Sequence, residues 1–242
     1  MIKRLKETQQ VAEGWTPQEV LAWSFRSFGS TIEMASGFGA EGMALIDIAA
    51  RLNPSLRVFT IDTGFLFPET YQLIGEVESR YGIRVERVRP RLTPSDQAEI
   101  YGEALWSTNP DQCCSLRKVE PLKEKLSSLR AWITAIRRDQ TKVRASSKKV
   151  EWDQKFQLVK INPMVDWTNE DVWDYIRENN VPYNPLHDAN YTSIGCTHCT
   201  RAVRPGEDPR AGRWAGFQKT ECGLHLPDVP VSNTPLIQIE GS

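Results

Sequence analysis

The feature that most constrains the fold of this chain is a strand, glycine turn and helix unit that occurs twice before residue 82. The two units have strands at 31–35 and 56–61, turns at 36–42 and 62–64, and helices at 43–52 and 68–81. Strands that alternate with helices in this way form parallel sheets with helices on both faces. Ligands of such α/β folds bind beyond the carboxyl ends of the strands, which is where both turns would lie.

Further segments extend the same pattern along the chain. Strands are predicted at 84–88 and 131–136, and a helix at 168–179 with Thr168 as its cap. The first 30 residues have the amphipathic pattern of helices. Together these segments predict an α/β fold with a mostly parallel, twisted sheet flanked by helices.

Length and composition indicate how the chain is organised. A chain of 242 residues with 40 % hydrophobic residues can bury one core, and we expect one α/β domain at 1–203. Residues 204–242 are rich in proline, glycine and charge, which predicts an irregular, mobile C-terminal segment.

Charge and hydropathy limit the partners and the location that we expect. No apolar run approaches the roughly 20 residues of a membrane helix, and the amino terminus lacks the apolar stretch of a secretory signal. We therefore expect a cytoplasmic protein. A net charge of -1 gives no general attraction to nucleic acid or to an acidic membrane, so neither is expected as a partner.

Positive charge is concentrated in two clusters. The first follows the strand predicted at 131–136 and would lie at the binding edge, and the second precedes Cys222. Guanidinium groups fit phosphate and sulfate oxygens well, although most surface arginines are simply solvated. The first basic cluster comprises Arg137, Arg138, Lys142, Arg144, Lys148 and Lys149, with the acid Asp139, and the second comprises Arg201, Arg204, Arg210, Arg213 and Lys219.

Five cysteines divide into a group of four and one that stands alone. In a reducing compartment, metal ligation or thiol reactivity is a better explanation for them than disulfides. Four thiolates suit structural zinc or a [4Fe–4S] cluster, and unliganded buried thiols are a third interpretation. A direct Cys-Cys pair differs from the paired C-x-x-C knuckles of a zinc ribbon, which favours the cluster. The group of four is Cys113, Cys114, Cys196 and Cys199.

Cys222 lies near the end of the chain, between Lys219 and His225. Cationic neighbours lower the pKa of a thiol, and the thiolate is the attacking species, so Cys222 is a candidate nucleophile. The alternative is an incidental exposed thiol. We interpret His198 as a spacer within the C-x-x-C motif and His187 as a structural side chain.

The first glycine turn, Ser36-Gly37-Phe38-Gly39, could direct backbone amides at a phosphate from the start of the helix that follows. It is neither a Walker loop nor a G-x-G-x-x-G fingerprint. A tight turn without a ligand is therefore equally compatible with it.

Along most of the chain these motifs resemble one family, the assimilatory adenylyl-sulfate and phosphoadenylyl-sulfate reductases, which have an adenine-nucleotide alpha-hydrolase-like fold. The matching motifs are Ile61-Asp62-Thr63-Gly64 with Pro68-Glu69-Thr70-Tyr71, Cys113-Cys114 with Arg117-Lys118, Trp132-Ile133-Thr134 with Arg137-Arg138-Asp139-Gln140, Ser193-Ile194-Gly195-Cys196 with Cys199-Thr200-Arg201, Arg210-Ala211-Gly212-Arg213-Trp214, and Glu221-Cys222-Gly223-Leu224-His225. One departure is Gly42, where many relatives carry an acidic residue.

The resemblance implies a reaction. Cys222 would attack the sulfonate sulfur of adenylyl sulfate and form an S-sulfocysteine, and thioredoxin or a glutaredoxin-like reductant would release sulfite. The group of four cysteines would hold a [4Fe–4S] cluster with an electrostatic and positioning role, and Lys118 would reach between cluster and substrate. The residues implied in substrate binding are Ser36, Gly37, Gly39, Asp62, Thr63 and Gly64 for the nucleotide, and Lys118, Arg137, Arg138, Arg210, Arg213, Lys219 and His225 for the phosphosulfate.

Two alternatives stand beside this interpretation. Family members that keep all four cysteines mostly use adenylyl sulfate, but a phosphoadenylyl-sulfate reductase or an enzyme that accepts both nucleotides is a close alternative. A zinc-stabilised nucleotide- or RNA-binding module, in which Cys222 is incidental, is a distant one. The resemblance also implies a role in sulfate assimilation for cysteine biosynthesis, and often a homo-oligomer.

Overall fold

A six-stranded sheet forms the centre of the protein, for which a computed structural model describes residues 2–225. The strands are β1 (Ile32–Ala35), β2 (Val58–Ile61), β3 (Val85–Val88), β4 (Ala131–Ile133), β5 (Val150–Asp153) and β6 (Leu158–Ile161). They lie in the order β3-β2-β1-β4-β6-β5; β5 runs antiparallel to β6, and the other neighbouring pairs are parallel. The mostly parallel sheet predicted from the sequence is confirmed.

Helices flank this sheet, and threonine caps define where several of them begin. The helices are α1 (Ile2–Ala12), α2 (Pro17–Phe28), α3 (Ala40–Leu52), α4 (Pro68–Tyr81), α5 (Pro94–Tyr101), α6 (Leu105–Thr108), α7 (Pro110–Cys114), α8 (Glu120–Leu126) and α9 (Asn169–Asn179). Thr16, Thr93 and Thr168 each accept a hydrogen bond from the amide three residues later, and the carboxylate at that later position accepts one from the backbone amide of the threonine. These capping boxes satisfy two otherwise unpaired amides at each helix start.

The strands bury side chains on both faces of the sheet. Successive strand residues point to opposite faces, so Ala131 and Ile133 belong to the larger core while Trp132, between them, belongs to the smaller one. Helices α2, α3, α4 and α9 contribute to the larger core, and Leu122 and Leu126 of α8 contribute to the smaller one. Because the sheet is covered on both sides, ligands have access to it at its edges.

Two parts of this fold were not predicted. The strands β5 and β6 carry charged residues at inward positions, and these pair with each other: Lys160 Nζ lies 3.4 Å from Glu151 Oε1. Their polar character hides the strand signal. The helices α5 to α8 were also missed, because none is longer than eight residues and so short a helix shows no clear apolar periodicity.

The C-terminal segment predicted at 204–242 is described only as far as residue 225, and residues 226–242 lie outside the described residues. Residues 204–225 form turns, as the predicted irregular structure requires, and they return to the carboxyl edge of the sheet. Their mobility stays a prediction. Between residues 2 and 225, none of the helices combines the length and the apolar character needed to cross a membrane.

Candidate active site

A cavity of about 650 Å³ opens at the carboxyl edge of the sheet. The loops that follow β1, β2 and β4 line the cavity on the side of the sheet, and parts of the segment 192–225 line the opposite side. Ten of the residues singled out in the sequence meet here: Ser36, Gly37, Gly39, Thr63, Lys118, Arg137, Arg210, Arg213, Cys222 and His225.

The glycine turn after β1 leaves the start of α3 open toward this cavity. Phe38 adopts a positive φ of 56°, and its amide donates to Ser36 Oγ at 3.1 Å, which tightens the turn. Gly39 is the N-cap, and it provides no side-chain hydrogen bond to the first amides of the helix. These amides therefore remain available to a polar ligand.

The acidic residue that faces the cavity from this turn is Glu41, which the sequence analysis did not identify. A side chain at Gly42 would bring its Cβ to 2.7 Å from Ser36 Oγ, so an acidic residue does not fit there without displacing Ser36. Glu41 accepts hydrogen bonds from Gln140 Nε2 at 2.8 Å and from Arg137 Nε at 3.2 Å. The sequence signal that could have identified Glu41 is that it is the acidic residue of the glycine turn at 36–42.

Arg137 is consequently held between two carboxylates. Its Nη2 lies 3.1 Å from Glu41 Oε1, and its Nη1 lies 2.6 Å from Asp139 Oδ2. Arg137 lines the cavity, but much of its charge is balanced before any ligand enters.

Arg210 and Arg213 present a different arrangement. Both guanidinium groups approach Ser193 Oγ, at 3.4 Å and 3.2 Å, and the Nε of each is buried without a hydrogen-bond partner in the described part of the chain. Arg213 lies so close to Gly195 that any Cβ there would collide with the guanidinium. Unpaired buried donors of this kind suit an anionic ligand.

Cys222 lines the cavity because contacts hold the residues on both sides of it. Arg210 Nη2 donates to the carbonyl oxygen of Thr220 at 2.9 Å, and Lys155 Nζ donates to that of Gly223 at 2.7 Å. Gly223 has a φ of 90°, and an added Cβ would meet Val119 at 3.2 Å. The turn beside Cys222 therefore requires glycine.

An ion pair that the sequence analysis did not predict joins Glu221 to Arg144, an arginine of the first basic cluster. Glu221 is 3 % exposed, and Arg144 contacts both of its carboxylate oxygens at 2.8 Å. Burial raises the pKa of Glu221, but the hydrogen bonds and charge of Arg144 outweigh it and hold this pKa below its usual range. The sequence signal that could have identified Glu221 is an acidic residue between the second basic cluster and Cys222.

Four other residues singled out in the sequence do not line the cavity. Asp62 is buried under the loop after β2, where it accepts from Tyr71 Oη at 2.6 Å and from the Gly64 amide at 3.2 Å. Gly64 has a φ of 74°, and an added Cβ would lie 3.0 Å from Pro94. Both residues shape the loop from which Thr63 reaches the cavity.

The remaining two of these four are cations paired elsewhere. Arg138 Nη2 lies 2.5 Å from Glu13 Oε2, and its Nε donates to the carbonyl oxygen of Ser147 at 2.9 Å. Lys219 is paired with Asp111. A role for either cation in binding the substrate therefore requires that these pairs open.

A second, smaller cavity lies beside the first and is lined by Cys113, Cys114, Cys196 and Cys199. The first two lie at the end of α7, and the other two lie in the loop at 196–199. Burial raises the pKa of Cys113 and Cys114, and that of Cys199 to about 11. Within residues 2–225, no group of three or more His, Cys, Asp and Glu side chains is spaced to hold a single metal ion.

Polar groups surround this small cavity. Thr63 Oγ1 lies 3.3 Å from Cys196 Sγ, and Gln97 Nε2 approaches Cys113 Sγ at 3.9 Å. Arg117 is 2 % exposed and lines the cavity; its Nη1 donates to the Thr63 carbonyl oxygen at 2.9 Å. Its Nε and Nη2 are buried and unpaired among the described residues. Lys118 lines both the small cavity and the large one, so it separates the two sites.

Three aromatic rings from separate segments also line the cysteine cavity. His198 stacks on Trp106 with ring centroids 3.9 Å apart, and the ring of Phe65 meets both at 5.3 Å and 5.0 Å. His198 is thus part of an aromatic cluster rather than merely a spacer in the C-x-x-C motif. Trp106 lay outside every motif that the sequence analysis considered.

Comparison with known proteins agrees with this geometry. The phosphoadenosine phosphosulfate reductase domain matches residues 31–202. An adenosine 5'-phosphosulfate reductase 2 of Bacillus subtilis is 50 % identical over 208 residues, which are 86 % of this chain and 88 % of that protein. An adenosine 5'-phosphosulfate reductase of Halalkalibacterium halodurans is 45 % identical over 222 residues, 91 % of this chain and 96 % of that one.

A solved structure shares the same fold. The phosphoadenylyl-sulfate (PAPS) reductase from Candida auris, in a phosphate complex, superposes with a TM-score of 0.73 at 29 % identity and covers 83 % of this chain and 97 % of its own. The domain match spans more than half of the chain, and the relatives are aligned over most of their length. The chain belongs to the phosphoadenosine phosphosulfate reductase family.

Proposed function

We propose that this protein is an adenylyl-sulfate reductase that forms sulfite and AMP through an S-sulfocysteine on Cys222. The observation that carries the proposal is that Cys222 lines the same cavity as Lys118, Arg210 and Arg213. A thiol and three cations around one cavity suit nucleophilic attack on a substrate that carries both sulfonate and phosphate. The printed names of the relatives support adenylyl sulfate as the substrate.

The chemistry balances with a dithiol reductant. The Cys222 thiolate attacks the sulfonate sulfur, an S–S bond forms, and the S–O bond to phosphate breaks, so that AMP leaves with the bonding pair. Arg210 and Arg213 would stabilise the charge that develops on the departing phosphate. A thiolate of a thioredoxin or glutaredoxin-like protein then attacks Cys222 Sγ and releases sulfite, and its second thiol frees Cys222. The two thiols of the reductant supply both electrons.

The residues of the small cavity fit a [4Fe–4S] cluster. Cys113, Cys114, Cys196 and Cys199 supply the four thiolates that such a cluster needs, and all four line one cavity. The unpaired Nε and Nη2 of Arg117 suit a group that carries net negative charge. When bound, the cluster would supply an electrostatic field that positions Lys118 and, through it, the substrate; no electron transfer is required of it.

Three further statements belong to the proposal: a division at residue 203 with a mobile segment after it, a cytoplasmic location, and a homo-oligomeric state. They stem from the sequence and the family resemblance. The close alternative is the use of the 3'-phosphorylated nucleotide, which is the substrate named for the Candida auris relative.

The test is a comparison of the two nucleotides with purified, cluster-loaded protein and reduced thioredoxin. We expect one sulfite and one AMP per adenylyl sulfate consumed. We also expect a protein adduct heavier by one SO₃ group on the Cys222 peptide when thioredoxin is left out. Equal efficiency with phosphoadenylyl sulfate would replace our proposal by an enzyme with dual specificity. The absence of sulfite with both nucleotides would refute it.

A further inference from the structure

We infer that Glu221 is a positioning residue, a latch that fastens the segment carrying Cys222 into the cavity by its ion pair with Arg144. This inference deepens the proposed function and rests on it for the identity of the nucleophile. The latch itself is a physical property of the protein that can be measured without turnover.

The contacts of the Glu221 carboxylate are unusually complete. Arg144 Nε and Nη2 lie 2.8 Å from Oε1 and Oε2, which is the bidentate geometry of the strongest arginine–carboxylate pairs. Thr141 Oγ1 donates to Oε1 at 2.9 Å, and Arg210 Nη2 lies 3.9 Å from Oε2. Because the carboxylate is buried, these interactions are poorly screened by water.

The latch joins two distant parts of the chain at the catalytic cavity. Arg144 and Thr141 come from the loop after β4, 77 and 80 residues before Glu221. Cys222 is the next residue after Glu221, and Arg144 itself lines the cavity. Fixing the Glu221 side chain therefore fixes the direction from which Cys222 reaches a ligand.

The other contacts of the segment are weaker anchors, including the ion pair of Lys219 with Asp111, whose side chain is 82 % exposed and therefore screened by water. Lys155 and Arg210 donate to backbone carbonyls of Gly223 and Thr220, and these bonds have no anionic acceptor. Removing one partner of a buried ion pair leaves the other charge uncompensated, which costs far more than the loss of a neutral hydrogen bond. Loss of the Glu221 charge should therefore loosen the segment more than loss of either backbone hydrogen bond would.

The experiment measures how readily iodoacetamide alkylates Cys222 in cluster-loaded protein, with the site identified by mass spectrometry. We compare Glu221→Gln with Glu207→Gln, because Glu207 forms a similar pair with Arg201, at 2.8 Å and 3.0 Å, in the same segment but away from the cavity. Rates are taken from the high-pH plateau, so that a changed pKa of Cys222 does not contribute.

We expect Glu221→Gln to raise the plateau alkylation rate about tenfold or more, because a buried pair is broken. Glu207→Gln should stay within about twofold of wild type, as expected for a pair outside the cavity. Thr141→Val, which removes one charge-assisted hydrogen bond, should give a smaller increase of about threefold to tenfold. Glu221→Asp should partly restore protection, and single-turnover formation of the S-sulfocysteine should slow in parallel while AMP binding changes little.

Equal alkylation rates in wild type and Glu221→Gln would overturn the latch. If Glu221→Gln does not fold, an unchanged rate in Thr141→Val overturns it instead. Failure of the wild type to form sulfite would refute the proposed function but leave these alkylation rates unaffected, so the two outcomes are distinguishable.

Discussion

The imidazole of His225 lies nearly parallel to the indole of Trp132, with ring centroids 5.7 Å apart and planes 13° apart. Burial lowers the pKa of His225 well below its usual value of 6.5, and nearby cations lower it further. The imidazole therefore favours its neutral form where it stacks on Trp132. The cations that lower its pKa are Arg144, Lys160, Arg210 and Lys155.

A pH dependence of segment closure follows from this stack. When the segment is open, His225 regains its usual pKa, so the open form binds a proton that the closed form excludes. Closure is therefore undisturbed above about pH 6.5 and weakens as the pH falls below that value, by about tenfold per pH unit at most. Arg144 holds the pKa of Glu221 below its usual value, so the carboxylate of the latch stays ionised in this range.

Limited proteolysis of residues 204–225 at pH 7.5 and pH 5.5 measures this effect. Cleavage of wild type should accelerate at the lower pH relative to His225→Phe, which retains an aromatic ring but cannot bind a proton. Taking the ratio of the two proteins at each pH cancels the pH dependence of the protease. A constant ratio would show that His225 does not control closure.

Changing Cys222 to Ser should abolish sulfite formation, by at least about a thousandfold, because a hydroxyl is a far poorer nucleophile and the residues acting with Cys222 cannot replace it. The variant should keep its visible absorbance, since Cys222 does not line the small cavity. It should also bind AMP as wild type does, because serine has nearly the same size and shape as cysteine. Sulfite assay, absorbance and calorimetry test the three points. Turnover near the wild-type rate would remove Cys222 from the role of nucleophile.

Replacing any one of the four cysteines of the small cavity with serine should, unlike Cys222→Ser, remove the cluster. We expect loss of iron and sulfide, bleaching of the visible spectrum and a lower unfolding temperature, because cluster ligation and the local fold are coupled. Iron and sulfide analysis with thermal unfolding measures this, and Cys222→Ser is the matched control for the loss of a thiol. A coloured, stable variant would exclude that cysteine as a ligand.

The sequence predicted the parts of this fold that depend on local patterns. The strands β1 to β4 and the helix α9 were found because their apolar residues and caps are contiguous in sequence. Charged strand residues obscured β6, where the buried Lys160 pairs with Glu151 of the neighbouring strand. A tertiary pair of this kind has no signature in either segment alone.

The same limit applies to the site. The basic cluster after β4 was predicted to face the ligand, but which of its arginines does so depends on partners elsewhere in the chain. Arg144 lines the cavity and pairs with Glu221, whereas Arg138 pairs with Glu13 of the N-terminal region. The sequence shows that the cations are present, but only the three-dimensional contacts show which of them lines the cavity and which pairs elsewhere.

The last prediction concerns the aromatic cluster of Phe65, Trp106 and His198, which lines the small cavity that holds the four cysteines. The stacked Trp106 and His198 rings and the edge of Phe65 occupy one wall of that cavity, while Lys118 lies between it and the large one. Apolar surface around a metal site limits access of solvent and oxidants to it. Removing the largest ring should therefore expose a bound cluster to oxygen.

We expect Trp106→Ala to bleach several times faster than wild type in air-saturated buffer, with Trp106→Phe intermediate, because a smaller ring covers less of the cavity. The matched control is Trp15→Ala, which breaks the pair of Trp15 with Trp23, centroids 5.9 Å apart, in the N-terminal helical region. The absorbance decay in air is compared with the decay under argon, which separates oxidation from unfolding. If Trp106→Ala bleaches at the wild-type rate in air, the ring does not shield the cluster from oxygen. If it bleaches equally fast in air and under argon, the loss of the ring acts through unfolding and the shielding role is likewise refuted.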